Sequence, residues 1–169
     1  MEPDDATNRQ GAMERFEGLG AFREAVRGAL RMAAQEGWRE LILSDASFLE
    51  WPLGEPAVVE SLEQWASPGR RLLMLAARYD EVARVHPRFV AWRRTWSHLV
   101  ECRACRNAGE LELPSAMWSP RWMLHRMDLR TSRGVAGVAD ALRRTALREL
   151  LDEWLGRSQA AFPVTTLGL

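Results

Sequence analysis

The sequence predicts a single α/β domain with a mixed, largely parallel sheet and helices on both faces. Three observations carry this. Helix-like and strand-like patterns alternate through the first two thirds of the chain. The runs Glu40–Ser44 and Arg71–Ala76 are short and apolar almost throughout, as expected of strands covered on both faces. Later strand-like runs meet at Ser119-Pro120, a hairpin signal that adds an antiparallel extension.

The elements follow in order. Leu19, Phe22, Val26, Leu30 and Ala33 repeat every three or four residues and make one helical stripe within 14–36. Gly18 and Gly20 weaken its first turn, so the firm helix is expected from about Ala21, and Gly37 should end it. After the strand Glu40–Ser44 comes a loop, 46–55, and then Pro56 as the first residue of a helix lined by Val59, Leu62 and Trp65. Ser67-Pro68-Gly69 turns the chain into the strand Arg71–Ala76. Asp80 starts a short helix that Pro87 interrupts, and Phe89, Trp92 and Trp96 continue the helical spacing. Residues 98–105, 111–118 and 121–129 read as three more strands. A long helix is expected over about 135–156, followed by an extended end, 158–169. Residues 1–13 read as a disordered tail and 14–169 as the domain.

Composition closes several functions. The 169 residues contain no lysine, and all 23 basic residues are arginine. A Walker-type phosphate loop, Schiff-base chemistry and Ser–Lys dyads each need a lysine, and arginine cannot give up its proton in such roles. The 23 acidic residues balance the charge to zero, which makes general nucleic-acid binding unlikely. No apolar run approaches the ~20 residues of a membrane span, and a cytoplasmic protein is expected. Eight tryptophans, spread along the chain, read mainly as core and interface anchors.

Ligands of open α/β sheets bind beyond the carboxyl ends of the strands, which nominates Ser44, Asp45, Arg78 and Tyr79. Thr131, Ser132, Arg133 and Gly134 stand just ahead of the expected long helix. A forked guanidinium beside free backbone N–H groups would make an anion site there, although Thr131 or Ser132 could equally be a simple helix cap. His86, His98 and His125 lack a Ser or Cys partner that sequence can place, so no catalytic residue is assigned. Cys102 and Cys105 form a C-x-x-C that leaves ordinary thiols, a shared metal and redox work open. No cofactor and no metal are expected.

From Phe22 to about Ser158 the order and spacing resemble one half of the phospholipase D superfamily fold. The helix before Glu40–Ser44, the turn Ser67-Pro68-Gly69-Arg70 before the second strand, and the hairpin and long helix at the end carry the resemblance. That family's signature is His-x-Lys followed by Asp after four residues. Here the hairpin reads Leu113-Pro114-Ser115-Ala116-Met117-Trp118-Ser119-Pro120-Arg121-Trp122, and near His125 and Asp128 the lysine offset holds Met127. The resemblance implies a non-catalytic module that binds an anionic ligand or a partner protein and pairs as a homodimer. The alternative is a small enzyme acting on a phosphorylated or acidic small molecule through Asp45, His86, His98 and arginines.

Overall fold

Gly37 ends the first helix as its position predicts. It takes φ 69° and returns its N–H to Ala33 O at 2.9 Å, a left-handed conformation that a residue without Cβ adopts freely. The computed structural model describes residues 13–109 and 112–164. Most of the expected tail, 1–12, lies outside the described residues, as does Leu167 of the extended end.

Among the described residues the order is β1 (Glu14–Phe16), α1 (Leu19–Glu36), β2 (Glu40–Ser44), α2 (Pro56–Trp65), β3 (Arg71–Ala76), α3 (Asp80–Val85), α4 (Pro87–Thr95), β4 (Val100–Ala104), β5 (Ser115–Trp118), β6 (Trp122–Asp128), β7 (Arg133–Val138), α5 (Ala141–Gly156) and β8 (Gln159–Ala160). The strands form one mixed sheet, β1-β7-β6-β5-β2-β3-β4-β8. Only β2–β3 and β3–β4 are parallel; the other five neighbouring pairs are antiparallel. The expectation of a largely parallel sheet is therefore corrected. Apolar runs report burial on two faces, and strand direction is set by the connections.

The long helix also begins later than its expected start near Val135, because Arg133–Val138 pairs with both β6 and β1. Gly134 and Gly137 weaken a helix there, and the β-branched Val135 and Val138 suit a pleated strand. Asp140 then opens α5, its side chain accepting from Arg143 N–H at 2.8 Å.

Helices lie on both faces, but unevenly. Phe22, Val26 and Leu30 of α1, Leu62 and Trp65 of α2, Val82 of α3 and Phe89 of α4 pack with Leu41, Leu72, Met74 and Leu124 in the main core. On the other face Ile42, Leu73, Ala116 and Met123 meet Leu147 and Leu151 of α5 alone. One helix cannot cover eight strands. The β6–β7–β1 end of this face is left open beside α5. No helix of the described residues is long and apolar enough to cross a membrane.

Candidate functional site

Arg126 gathers four side-chain hydrogen bonds at one buried guanidinium. Strand alternation places it, with Leu124, on the α1 face, while Met123, His125 and Met127 point to the other. Its guanidinium lies 4.2 Å over the Phe22 ring. It donates to Ser115 Oγ (3.0 Å), Glu50 Oε2 (2.5 Å), Ser132 Oγ (3.3 Å) and Asp45 Oδ1 (3.2 Å). Asp45 in turn accepts from the N–H groups of Ser47 (3.2 Å) and Phe48 (2.8 Å). Phe48 and Ser132, both beside this centre, are non-glycine residues at φ 58° and φ 50°. The hydrogen bonds hold a backbone that would otherwise relax.

Two sequence-nominated residues, Asp45 and Ser132, thus meet through a third that the sequence reading missed. The available signal was an arginine at an inward position of an apolar strand. A 270 Å³ cavity opens here between Asp45, Ser47, Glu50, Arg126 and Arg130. Four of the five guanidinium N–H groups are already spent. Arg126 therefore acts as a clamp between the antiparallel end of the sheet and the loop after β2, with no free fork to offer an anion.

The other nominated residues separate. Ser44 donates to Pro114 O at 2.7 Å. Thr131 and Arg133 belong to the turn into β7 and to β7 itself, so the expected helix N-terminus beside Arg133 is corrected. Asp128 organises that turn, accepting from Arg130 N–H (3.0 Å) and Thr131 N–H (3.2 Å), and the contacts from Thr131 hold its carboxyl below the usual range. Arg133 donates to Thr131 Oγ1 (3.2 Å) and reaches Asp128 (3.5 Å). Gly134 lies where β7 closely approaches β6 and Phe16.

Tyr79 is buried and donates to the carbonyls of Arg103 (2.8 Å) and Met74 (3.1 Å). Arg78, exposed beside it, ties its backbone N–H to Ala46 O at 3.2 Å. His98 is exposed near Gly69, Arg70 and Arg71 at the opposite end of the sheet from Asp45. Asp45, His86 and His98 do not converge in one cleft.

His86 fastens the loop after β2 from the other side. Its Nδ1 accepts from Gly54 N–H (3.1 Å), which leaves Nε2–H to donate to Phe48 O (2.8 Å). Burial lowers the pKa of His86, and likewise that of His125. The folded protein therefore binds fewer protons than the unfolded chain once pH drops below the ordinary histidine value of 6.5. Stability is fully present above that value and is lost as pH falls through the lowered folded values. Urea midpoints at pH 7.5 and 5.5 are expected to differ, and His86→Gln should reduce the difference. A variant that keeps the full pH dependence would rule this out.

The cysteines also part. Cys102 packs in the main core, whereas Cys105 lies with Leu75 and Leu113 on the opposite face and donates to Trp154 O at 3.2 Å. Burial raises both thiols, Cys102 to about 11. No cluster of three His, Cys, Asp or Glu placed to hold a metal occurs among the described residues.

A larger concavity lies elsewhere, on the open end of the second sheet face. This groove, about 1140 Å³, runs between β6–β7–β1 and α5. Met13, Met123, Met127, Val135, Leu147 and Leu150 make its apolar floor, and Arg15, Arg133 and Arg143 stand around it with Glu17 and Asp128. Met127 is 64% exposed, and Leu142, one turn from Ala146 on α5, is 81% exposed. The side chains of Arg15 and Arg143 make no ion pair among the described residues, whereas Arg133 is shared between Asp128 (3.5 Å) and Glu17 (4.0 Å). Sequence reading missed the groove because its residues come from three strands and a helix.

No family model matches the chain, and no curated protein matches it. Among solved structures it is similar to TrmBL2, an archaeal chromatin protein whose structure shows a novel mode of DNA binding. The two share 10% identity at a TM-score of 0.63, over 95% of this chain and 57% of that one. The likeness is one of fold. It overturns the phospholipase D resemblance, whose warrant was an element order around a largely parallel sheet, and the implied two-fold pairing loses its basis with it. It also corrects the expectation that nucleic-acid binding is unlikely: a fold found in a DNA-binding protein is not excluded from that role by a net charge of zero. Net charge says nothing of where the charges stand.

Proposed function

We propose that this chain is a non-catalytic binding module whose working surface is the groove between β6–β7–β1 and α5. Its partner on this reading is a protein segment that presents apolar side chains flanked by carboxylates. The groove carries the proposal. A methionine-rich floor adapts to varied apolar side chains, exposed apolar surface of this kind marks interaction sites, and Arg15 and Arg143, without ion pairs among the described residues, favour an acidic rim on the partner. The use of Asp45, Tyr79 and His86 in holding backbone supports a scaffold in preference to an enzyme.

The likeness to a DNA-binding chromatin protein favours a second reading, in which the same arginines contact DNA phosphates. One set of titrations separates the two. An amphipathic helical peptide with glutamate flanks, its lysine-flanked counterpart and a duplex DNA are titrated by fluorescence anisotropy. The protein-partner reading expects saturable binding of the acidic peptide alone, weakened about tenfold or more by Leu150→Asp and by Arg143→Glu. Binding of DNA alone, with a salt dependence that Arg143→Glu reduces, would replace it with the second reading. Sedimentation showing a dimer that Leu150→Asp dissociates would mean that a second copy fills the groove, and would also overturn the proposal.

A further inference from the structure

Arg93 of α4 is 5% exposed, and its Nε has no hydrogen-bond acceptor. No carboxylate pairs with it among the described residues. A buried guanidinium without a counter-charge is costly, and an aromatic face repays only part of that. The groups its contacts identify, Phe162 and Cys102, carry no charge. Its Cζ lies 4.7 Å from the centroid of the Phe162 ring. The Cys102 thiol touches both Arg93 and Tyr79, and burial keeps it protonated. The Tyr79 hydroxyl is committed to the carbonyls of Met74 and Arg103.

Phe162 reaches this place on a lightly held strap. Strand β8 is two residues long and pairs only with β4, aided by Arg103, which donates to Ser158 Oγ and Ser158 O. Phe162 itself takes φ 50°, a conformation L residues rarely adopt. Its ring stacks on Tyr79 with centroids 5.1 Å apart and planes within 7°. One aromatic ring is thus held against a phenol and a guanidinium that no carboxylate pairs among the described residues.

We propose that this slot is a binding site for an aryl carboxylate, with Phe162 as its lid. The ligand's ring takes the place of Phe162 against Tyr79, and its carboxylate gives Arg93 the counter-charge that none of the described residues supplies. Carboxylate geometry matches the guanidinium fork, and a single ring matches the aromatic slot. This site is separate from the groove and stands or falls independently of it.

The test uses the full chain and benzoate, with benzamide as the uncharged counterpart and inorganic phosphate as the ringless anion. Calorimetry measures binding to the wild type and to Phe162→Ala, with circular dichroism confirming the fold. Benzoate is expected to bind Phe162→Ala about tenfold or more tightly than the wild type, and about tenfold or more tightly than benzamide binds that variant. It should also slow alkylation of Cys102 in that variant. Benzamide matching benzoate would reduce the slot to a hydrophobic void and overturn the proposal. So would phosphate matching benzoate, or a folded Phe162→Ala that binds no benzoate. Arg93→Gln in the Phe162→Ala background should abolish binding. If that double variant does not fold, the comparison of benzoate with benzamide alone decides.

Discussion

Replacing Arg126 by alanine is expected to cost about 3–5 kcal/mol, because it leaves the buried Asp45 carboxylate without its cation. Asp45 is 6% exposed and Arg126 4%, so little water can replace the lost contacts. The same change removes the cation over Phe22 and the donors to Ser115 and Ser132. Against a typical net stability of roughly 5–15 kcal/mol this is a large share. Glu50 is the contrast. Its side chain is 44% exposed, so Glu50→Gln should cost no more than about 1 kcal/mol. Urea unfolding of the wild type, Arg126→Ala, Asp45→Asn and the double variant gives the coupling directly. A loss below about 1 kcal/mol for Arg126→Ala would show that the clamp contributes little.

Gly134→Ala is expected to cost about 3 kcal/mol or more. A Cβ at Gly134 would stand 2.1 Å from His125 O, 2.6 Å from Phe16 Cζ and 2.8 Å from Arg126 Cα. Two of these are backbone atoms of β6, the strand with which β7 pairs at Arg126↔Gly134, so relief requires the strands to separate. The comparison is Gly28→Ala in α1, where nothing lies within 4 Å of the added atom. That change should stabilise by about 0.5–1 kcal/mol. Thermal unfolding of the two variants should therefore shift in opposite directions. A Gly134→Ala protein as stable as the wild type would mean that β6 and β7 are not packed this closely.

Local chemistry made several elements legible. Glu40–Ser44 and Arg71–Ala76 are the observed β2 and β3, since a short apolar run between turn residues has few other ways to bury itself. Pro56 begins α2 and Pro87 divides α3 from α4, because proline fixes its own φ and gives up an N–H. Phe22, Val26, Leu30 and Ala33 are the buried stripe of α1. The Ser119-Pro120 turn joins β5 to β6 as a hairpin. Each of these depends on interactions within a few residues, which the sequence by itself determines.

The tertiary structure decided the rest. Whether Arg133–Val138 opens a helix or pairs as a strand turned on partners 5 to 122 residues away along the chain. Strand direction followed from which strands met across the antiparallel end, so a chain read as largely parallel is mostly antiparallel. Asp45, Glu50, Ser115 and Ser132 become one centre only because β2, β5 and the turn into β7 converge on Arg126. The groove exists because a single helix leaves part of a sheet face uncovered. Pairing energy across a sheet and charge compensation in a buried centre belong to groups distant in sequence, and only the folded chain brings those groups within reach of one another.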